Sequence, residues 1–332
     1  NDCDGEGDPS SCDDGPDPNP DEQVAYSLED AEAKLWSSNS GYDAGRRMDV
    51  GDINGDGTTD LVVSAMWANS YKGGAYVVSG PITADAPLPK AGYWLAGDAT
   101  SYEGARAIGV TEATGDDYAD ILMGAPDAPG FDVVIFFGPI TEDATFSDAD
   151  LRFVCSESIE CGHGADMADF NGDGYLDLIT INDGPGLTEH IFINDGAGGF
   201  IDQTDALWPE SANIGVDDNV SVILDYESDG DPDVIIGALG SSSDRLLLNG
   251  GTGALSLAEP LFPSGDTPGT LGLALAHLDG DGRLDMVQAQ GELAYENQVY
   301  RGVDLDPDKA PPVIDRAEAV GMRIVARVHD QK

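Results

Sequence analysis

Five nine-residue segments of the chain carry oxygen-bearing side chains at matching positions. Asp, Asn, Glu or Thr recurs at positions 1, 3, 5 and 9 of most copies, and glycine stands at position 6 of four. Alternate residues of a tight loop can direct their oxygens at one centre, and glycine permits the sharp bend. Carboxylate, amide and backbone carbonyl oxygens suit a hard cation, and Ca²⁺ accepts roughly six to eight of them. The candidate calcium loops are DINGDGTTD (52–60), EATGDDYAD (112–120), DFNGDGYLD (169–177), DYESDGDPD (225–233) and HLDGDGRLD (277–285).

An EF-hand also begins with alternating acidic residues, but it needs a glutamate at position 12 and a helix on either side. The residues at position 12 of the five segments are Val63, Met123, Thr180, Ile236 and Gln288. The flanking residues also have a strand-like pattern. The EF-hand interpretation therefore fails, and a short loop between two strands of one unit remains.

The segments recur at near-even intervals, because their starts are 60, 57, 56 and 52 residues apart. A short apolar run follows each one and indicates a buried strand. Alternating or β-branched runs separated by Gly, Pro, Asn and Asp predict an all-β chain with about four strands per unit. One such unit cannot bury both faces of its sheet, so we expect the units to stack around an axis. The predicted fold is an all-β β-propeller of four-stranded blades, with five visible repeats and calcium-binding loops.

The two ends of the chain differ from this repeated region. Residues 1–24 are acidic, rich in proline and poor in large apolar side chains, which predicts a disordered linker or tether. The propeller is assigned to residues 25–303. Residues 304–332 contain a proline-rich break and then RIVARVHD, which predicts a linker and a C-terminal β segment. That segment either begins another β module, closes the ring or pairs with a neighbour.

The charge of the chain limits its classes of partner. It carries 63 Asp and Glu against 15 Lys and Arg, a formal net charge of -48. Nucleic acids and anionic lipid surfaces are bound through clustered Lys and Arg, so neither is an expected partner. No apolar run approaches the roughly 18 residues of a membrane span, so we expect a soluble chain without direct membrane insertion. Cations are the natural partners of this protein.

The four cysteines form two close pairs, Cys3 with Cys12 and Cys155 with Cys161, and neither pair has CxxC spacing. Locally paired cysteines favour disulfides made in an oxidising compartment, with buried reduced thiols as the alternative for Cys155 and Cys161. The chain begins at Asn1 without a basic and apolar signal segment, which we interpret as a processed or partial chain. These features predict an extracellular location, either secreted or at the cell surface.

The pattern D-x-N-x-D-G-x-x-D followed by an apolar strand resembles the FG-GAP/VCBS repeats of integrin-α-like β-propellers. GYDAGRRMDVG and SYEGARAIGV precede the first two copies, and the resemblance covers most of residues 28–303. In that family the Asp-rich loops hold Ca²⁺ on one face of the propeller, and ligands bind the opposite face or the interblade loops. The ligands that the resemblance implies for the first and third loops are Asp52, Asn54, Asp56 and Asp60, and Asp169, Asn171, Asp173 and Asp177.

The other copies depart from the family pattern. The fourth loop keeps four acidic groups, namely Asp225, Glu227, Asp229 and Asp233. In the fifth loop, His277 replaces the first Asp, and Asp279, Asp281 and Asp285 remain. In the second loop, Asp117 replaces the glycine at position 6. The oxygen-bearing residues that remain there are Glu112, Thr114, Asp116 and Asp120. The residues at position 7 that complete the candidate set are Thr58, Tyr175, Asp231 and Arg283. We expect roughly three to five Ca²⁺ ions, and simple turn formation by the same residues is the alternative.

Integrin-type propellers usually have seven blades, more than this chain can supply at about 55 residues per unit. The ring is therefore either smaller, with five blades, or completed by another chain or by sequence beyond this one.

The sequence contains no recognisable phosphate loop, GxSxG elbow, HExxH motif or Cys–His arrangement. We therefore predict a non-enzymatic adhesion or binding module that binds calcium and a surface protein or glycan ligand. One alternative is a structural subunit of a self-assembling extracellular filament or surface coat, which implies a homo-oligomer. Another is an enzyme scaffold acting on polysaccharide or phosphoester. Trp67, beside Asn69 and Tyr71, is the best exposed aromatic for stacking on a carbohydrate.

Overall fold

The structure is a computed structural model. The predicted linker 1–24, the Cys3 and Cys12 pair, Asp117, Asp281 and the start of the C-terminal segment lie outside the described residues. The described residues are 31–37, 39–98, 103–116, 118–126, 131–155, 161–184, 186–239, 242–258, 269–280, 283–291 and 297–302, together with the strands 313–320 and 323–329.

Five antiparallel sheets follow one another along the chain as a five-bladed β-propeller arrangement. The first contains β2 (Ala44–Gly51), β3 (Asp60–Ala65), β4 (Gly74–Val78) and β6 (Gly92–Ala96). The second contains β7 (Ile108–Thr111), β8 (Asp120–Gly124), β9 (Val133–Phe136) and β11 (Leu151–Phe153). The third contains β12 (Cys161–Ala168), β13 (Asp177–Asn182), β14 (His190–Asn194) and β15 (Phe200–Asp202). The fourth contains β16 (Asp218–Leu224), β17 (Asp233–Ala238), β18 (Arg245–Asn249) and β19 (Leu255–Leu257), and the fifth contains β20 (Thr270–Ala276), β21 (Asp285–Gln290) and β22 (Gln298–Tyr300).

The remaining elements are short. A parallel pair joins β1 (Leu35–Trp36) to β5 (Ala86–Pro87), and β10 (Ala144–Thr145) adds in parallel to β6 as a fifth strand of the first sheet. The predicted four-stranded blade is thus seen in the second, third and fourth sheets, while three strands are described in the fifth. Single helical turns cover α1 (Ala68–Tyr71), α2 (Thr204–Leu207), Ser40–Tyr42, Leu88–Lys90 and Phe146–Asp148.

Apolar clusters between successive sheets hold the blades together. The second strands, such as β13 and β17, are buried along their whole length because a neighbouring blade covers each face. This explains the continuous apolar runs that follow the Asp-rich segments. Phe146 packs between the first and second sheets, and Trp208 packs between the third and fourth; both are essentially fully buried.

Polar contacts connect the first strands of the blades around the axis. The Asp49 carboxylate accepts a bond from the backbone N–H of Val110 at 2.7 Å, and Asp166 accepts one from the Ser221 hydroxyl at 2.9 Å. Burial raises the pKa of Asp166 to about 6, against the lowering effect of the Ser221 bond. Hydrogen bonds between first strands therefore join these neighbouring blades, in addition to the apolar clusters between their sheets.

The contact between the fifth and first sheets differs from the other interfaces. The Arg47 guanidinium donates to the Leu271 carbonyl at 3.3 Å, which connects β2 to β20. Met48 and Val50 on β2 are 61% and 55% exposed, and Val299 on β22 is 57% exposed. Among the described residues, no buried apolar cluster spans these two sheets. We call this surface the seam.

The remaining sequence predictions that the structure bears on concern the cysteines and the C-terminal segment. A disulfide joins Cys155 to Cys161, as the local pairing predicted. The C-terminal segment contains the antiparallel strands β23 (Val313–Val320) and β24 (Arg323–His329). None of the helices in the described part of the chain has the length and apolarity of a membrane-spanning helix.

Candidate calcium loops

All five Asp-rich segments lie at the same edge of their sheets. Each one joins the first strand of a blade to the second, as residues 52–59 join β2 to β3. Because neighbouring strands are antiparallel, the end of every first strand and the start of every second strand meet at this edge. The topology therefore gathers the acidic segments on one face of the propeller and leaves the turns after the second strands on the other.

The aspartate at position 9 is buried in all five loops. Asp60, Asp120, Asp177, Asp233 and Asp285 are at most 1% exposed. In the third loop, the two Asp177 oxygens accept from the backbone N–H groups of Phe170 at 3.0 Å and Asn194 at 2.8 Å. The equivalent pairs of donors recur in all five copies. This residue therefore connects the loop to the end of the third strand, a structural role that the sequence alone did not indicate.

Burial raises the pKa of this aspartate in several loops, because a carboxylate loses hydration there. The pKa of Asp177 is raised to about 6, chiefly by burial, although its two backbone bonds act in the opposite direction. The pKa values of Asp120 and Asp233 are raised for the same first cause. The neighbouring acidic residues of each loop add to the effect, so a bound cation would favour the charged form.

The aspartate at position 1 binds the backbone of its own loop. In the first loop, Asp52 Oδ1 accepts from Gly55 N at 2.9 Å, and Asp52 Oδ2 accepts from Gly57 N at 2.9 Å. Asp169 accepts from Asp173 N and Gly174 N at 3.0 and 2.8 Å in the same manner. Gly57 and Gly174 have φ of 83° and 90°, in the left-handed region that favours glycine at position 6.

Positions 3 and 5 continue this arrangement along the loop. Asn54 Oδ1 accepts from Asp56 N at 2.8 Å, and Asp56 Oδ1 accepts from Thr58 N at 2.8 Å. Each bond is a side chain binding the backbone two residues on, which is how Asn and Asp stabilise turns. Oxygens at positions 1, 3 and 5 thus share one small loop, and all of them accept hydrogen bonds from its backbone.

The side-chain oxygens of these loops are of the kind that binds calcium, but they lie farther apart than the ligands of a formed calcium site. Among the described residues, no three carboxylates of these loops offer oxygens that all lie within 4.8 Å of one another. Like charges without a cation between them repel, so backbone N–H groups satisfy them separately. Binding a divalent ion would require the carboxylates of a loop to move inward.

Family comparisons agree with this repeated geometry. The FG-GAP-like repeat family matches residues 169–236 and 225–287, and the FG-GAP repeat family matches residues 44–78. The chain carries FG-GAP and FG-GAP-like repeats. The resemblance predicted from the Asp-rich pattern is therefore confirmed.

The solved structures that are similar to this chain share little sequence identity with it. The V. cholerae biofilm matrix protein Bap1 is similar at 17% identity and a TM-score of 0.38, over 77% of this chain and 37% of that one. BBS1N, solved in complex with ARL6DN, is similar at 12% identity and a TM-score of 0.39, over 92% of this chain and 78% of that one. The chain thus spans about a third of the Bap1 chain, and no curated protein matches its sequence.

The fifth Asp-rich loop differs from the first and third loops, whereas the fourth does not. In the fourth, Asp225 accepts from Asp229 N and Gly230 N, both at 3.0 Å, and burial together with Asp229 and Asp225 raises the pKa of Asp231. In the fifth, His277 Nδ1 lies 2.7 Å from the Arg283 carbonyl oxygen, and Arg301 pairs with Asp279. The fourth loop therefore keeps the arrangement of the first and third. In the fifth loop, Arg301 pairs with Asp279, one of the candidate calcium ligands.

The second Asp-rich loop uses a longer side chain at position 1. Glu112 Oε1 accepts from the N–H groups of Thr114 and Gly115 at 2.9 and 2.5 Å, and Asp116 Oδ1 accepts from Tyr118 N at 3.0 Å. Glutamate at position 1 thus binds the loop backbone as aspartate does in the other copies.

Sequence reasoning did not find the buried charges at the opposite edge of the blades. Glu189 and Asp218 are fully buried, and Arg245 donates to the two Asp218 oxygens at 3.0 and 2.6 Å. Burial, with Asp218 beside it, holds the pKa of Glu189 well above its usual range. These residues stand at strand ends without a motif, and nothing in the sequence separates them from the other acidic residues.

One further cluster has the composition of a metal site. Asp132, Cys155 and Cys161 are buried with ligand atoms within 4.8 Å of one another. The two cysteines form a disulfide, so they offer no thiolate, and Asp132 accepts from Cys155 N at 2.8 Å. This cluster therefore has a structural role.

Proposed function

We propose that this protein is an extracellular calcium-binding β-propeller that acts as a non-enzymatic binding module. The observation that carries the proposal is the recurrence of one oxygen-rich loop at the same edge of all five blades. Chance clustering in an acidic chain does not explain why the position-1 aspartate binds the loop backbone in the same way in the first, third and fourth copies. A common cation-binding role would account for oxygen-bearing residues at the same positions of every copy, and the calcium titration separates it from simple turn formation.

The first, third and fourth loops are the strongest candidates to hold Ca²⁺, through the oxygens at positions 1, 3, 5 and 9. The cation would neutralise carboxylates that otherwise repel one another, and it would make each loop rigid. The protein's own contribution is to start every second strand with a buried aspartate, which holds the loop against the blade. In this proposal the other face is left for a surface protein or glycan.

The proposed location rests on the cysteines. Cys155 and Cys161 are joined by a disulfide, and disulfides persist mainly in oxidising compartments. We therefore place the protein outside the cytosol, either secreted or at the cell surface.

A calcium titration tests the proposal. The protein is stripped with a chelator, returned to calcium-free, magnesium or calcium buffer, and followed by thermal unfolding and by elemental analysis after dialysis. We expect roughly three to five bound Ca²⁺ per chain and a large rise in melting temperature with calcium, because a ligand of the native state alone stabilises it. Magnesium should have a weaker effect, because it gives up its waters reluctantly. An unchanged melting temperature and no retained calcium would overturn the proposal.

The seam favours one second candidate, a subunit of a self-assembling filament or coat. Met48, Val50 and Val299 are apolar and exposed on facing blades, which a second copy of the chain could cover. Sedimentation of calcium-loaded protein over a range of concentrations tests this. A monomer at every concentration counts against self-assembly, and mass-dependent association that is lost in Val299→Asp supports it.

The buried carboxyl groups of Glu189 and Asp218 do not support the enzyme alternative. Glu189 and Asp218 are adjacent carboxyl groups, but both are 0% exposed, so a substrate cannot reach them. We therefore keep the non-enzymatic module as the proposal.

A further inference from the structure

Two loops meet on the face opposite the calcium loops. Residues 66–73 follow β3 in the first blade, and residues 103–107 lead into β7 of the second. Backbone bonds connect them: Glu103 N donates to the Tyr71 carbonyl at 3.0 Å, and Gly74 N donates to the Gly104 carbonyl at 2.9 Å. The close approach requires glycine at Gly73, where a Cβ atom would lie 2.2 Å from the Gly104 oxygen. We call this pair of loops the rim.

The rim has an unusual backbone. Asn69, Ser70 and Tyr71 are three consecutive non-glycine residues in the left-handed region, with φ of 51°, 62° and 70°. Glu103 and Ala105 across the contact also have positive φ. Such conformations persist only where the surroundings enforce them, and they concentrate at functional sites.

The rim presents two aromatic side chains to solvent. Trp67 is 38% exposed and Tyr71 is 56% exposed. The indole N–H of Trp67 donates to Glu103 Oε1 at 3.3 Å, which fixes the ring and leaves part of its surface open. Ordered aromatic side chains of this kind provide contact area at little cost in conformational entropy.

Charged groups continue from the rim across to the third blade. Arg106 lies 3.7 Å from Glu103 and 3.8 Å from Asp183, and Asp183 lies 2.8 Å from His163 Nδ1. The Arg106 and His163 side chains are 10% and 7% exposed, while Asp183 and Glu103 are 25% and 21% exposed. The surface beside the aromatics thus offers both acceptors and donors, with the Arg106 guanidinium within 4 Å of both carboxylates.

We propose that this aromatic rim and its polar surface bind a neutral carbohydrate, with a sugar ring on Trp67 or Tyr71 and hydroxyl groups on Glu103, Arg106 and Asp183. Hydroxyls both donate and accept, so they match carboxylate and guanidinium groups together. An anionic ligand is disfavoured by the net charge of -48. A cationic ligand is disfavoured because Arg106 already compensates the carboxylate nearest the rings. The inference rests on the proposed binding-module function and assigns its ligand class and surface.

Calorimetric titration of the calcium-loaded protein tests the inference. The probes are maltohexaose, cellohexaose, laminarihexaose and chitohexaose, titrated into wild type, Trp67→Ala, Tyr71→Ala and Trp36→Ala. Trp36 is the matched control, because it is 47% exposed but belongs to β1, which pairs with β5 rather than with the loops of the rim. We expect one probe to bind, with about tenfold or greater loss in at least one rim variant and little change in the control. Tyr71→Ala keeps the test valid if Trp67→Ala does not fold.

Two further measurements separate the ligand classes. Affinity for a neutral sugar should be nearly unchanged between about 50 and 500 mM NaCl, since no ion pair is screened. Glu103→Gln should keep most of the affinity, because its amide oxygen still accepts from Trp67. Strong salt dependence with loss in Glu103→Gln, or rim-dependent binding of a polylysine peptide instead of any sugar, would overturn the carbohydrate assignment. Binding that survives both rim variants, or no binding of any probe, would also overturn it.

The rise in melting temperature with calcium is recorded on the same samples. If that rise is present while the sugars fail, the failure concerns the rim alone. If the rise is itself absent, the proposed calcium module fails independently.

Discussion

Replacing one aspartate of the third loop distinguishes a calcium site from a simple turn. Asp169 accepts two backbone N–H bonds, from Asp173 at 3.0 Å and Gly174 at 2.8 Å. Asp169→Asn keeps one oxygen and loses one of these bonds, which costs about 1 kcal/mol without calcium. With calcium present, the variant also loses a charged ligand.

The calcium-dependent effect is larger than the loss of the hydrogen bond. A site at about 100 times its dissociation constant contributes about 2.7 kcal/mol, most of which the variant forfeits. For a domain of this size, about 1 kcal/mol corresponds to about 2–4 °C in melting temperature. We therefore expect the variant to melt a few degrees lower without calcium, and its rise on adding calcium to be smaller by about 5–10 °C.

Asp195→Asn is the matched control. Asp195 lies in the same blade, carries the same charge, and accepts from Ala197 N and Gly199 N at 2.8 and 2.9 Å, but it is outside the Asp-rich loop. Thermal unfolding with and without about 1 mM calcium, in the affinity range of extracellular modules, compares the three proteins. If Asp169→Asn keeps the full rise, the third loop is a turn only. If both variants lose it equally, calcium acts by screening the overall charge.

Three further predictions concern the framework that holds the loops. Arg245→Ala leaves Asp218 buried without its partner, so chemical denaturation should show a loss of about 3–5 kcal/mol, and an unchanged midpoint would contradict the buried ion pair. Asp166 has its pKa raised to about 6 by burial, so the native state loses stability as pH rises from about 4 through 6. Asp166→Asn should therefore gain about 1–3 kcal/mol relative to wild type between pH 4 and 7.5, and parallel pH curves would refute this. Replacing Cys155 and Cys161 together by serine removes a short cross-link and should cost about 2 kcal/mol relative to oxidised wild type. Reduced wild type, which also lacks the cross-link, is the control and should show about the same loss.

The loops illustrate how far local sequence can predict a site. Positions 1, 3 and 5 form turns through bonds to residues two to five positions away, as Asp52 does with Gly57. Such contacts follow from the spacing of these residues in the sequence, so the candidate loops could be predicted from it. The role of Asp177 was not visible, because its second donor, Asn194, comes from the far end of another strand. The pairing of Arg301 with Asp279 likewise could not be predicted, because the two residues meet only when the blade folds.

Sequence alone determined the repeat, the alternation of strands and turns, and the placement of five acidic loops at equivalent points of five blades. These are local properties, because they depend on side-chain period and turn chemistry over about ten residues. Tertiary structure alone decided that Glu189 and Asp218 are buried together, that Trp67 is held by Glu103 across two blades, and that the seam differs from the other interfaces. The physical reason is that burial and pairing between distant residues depend on how the sheets pack, and no short stretch of sequence encodes that packing.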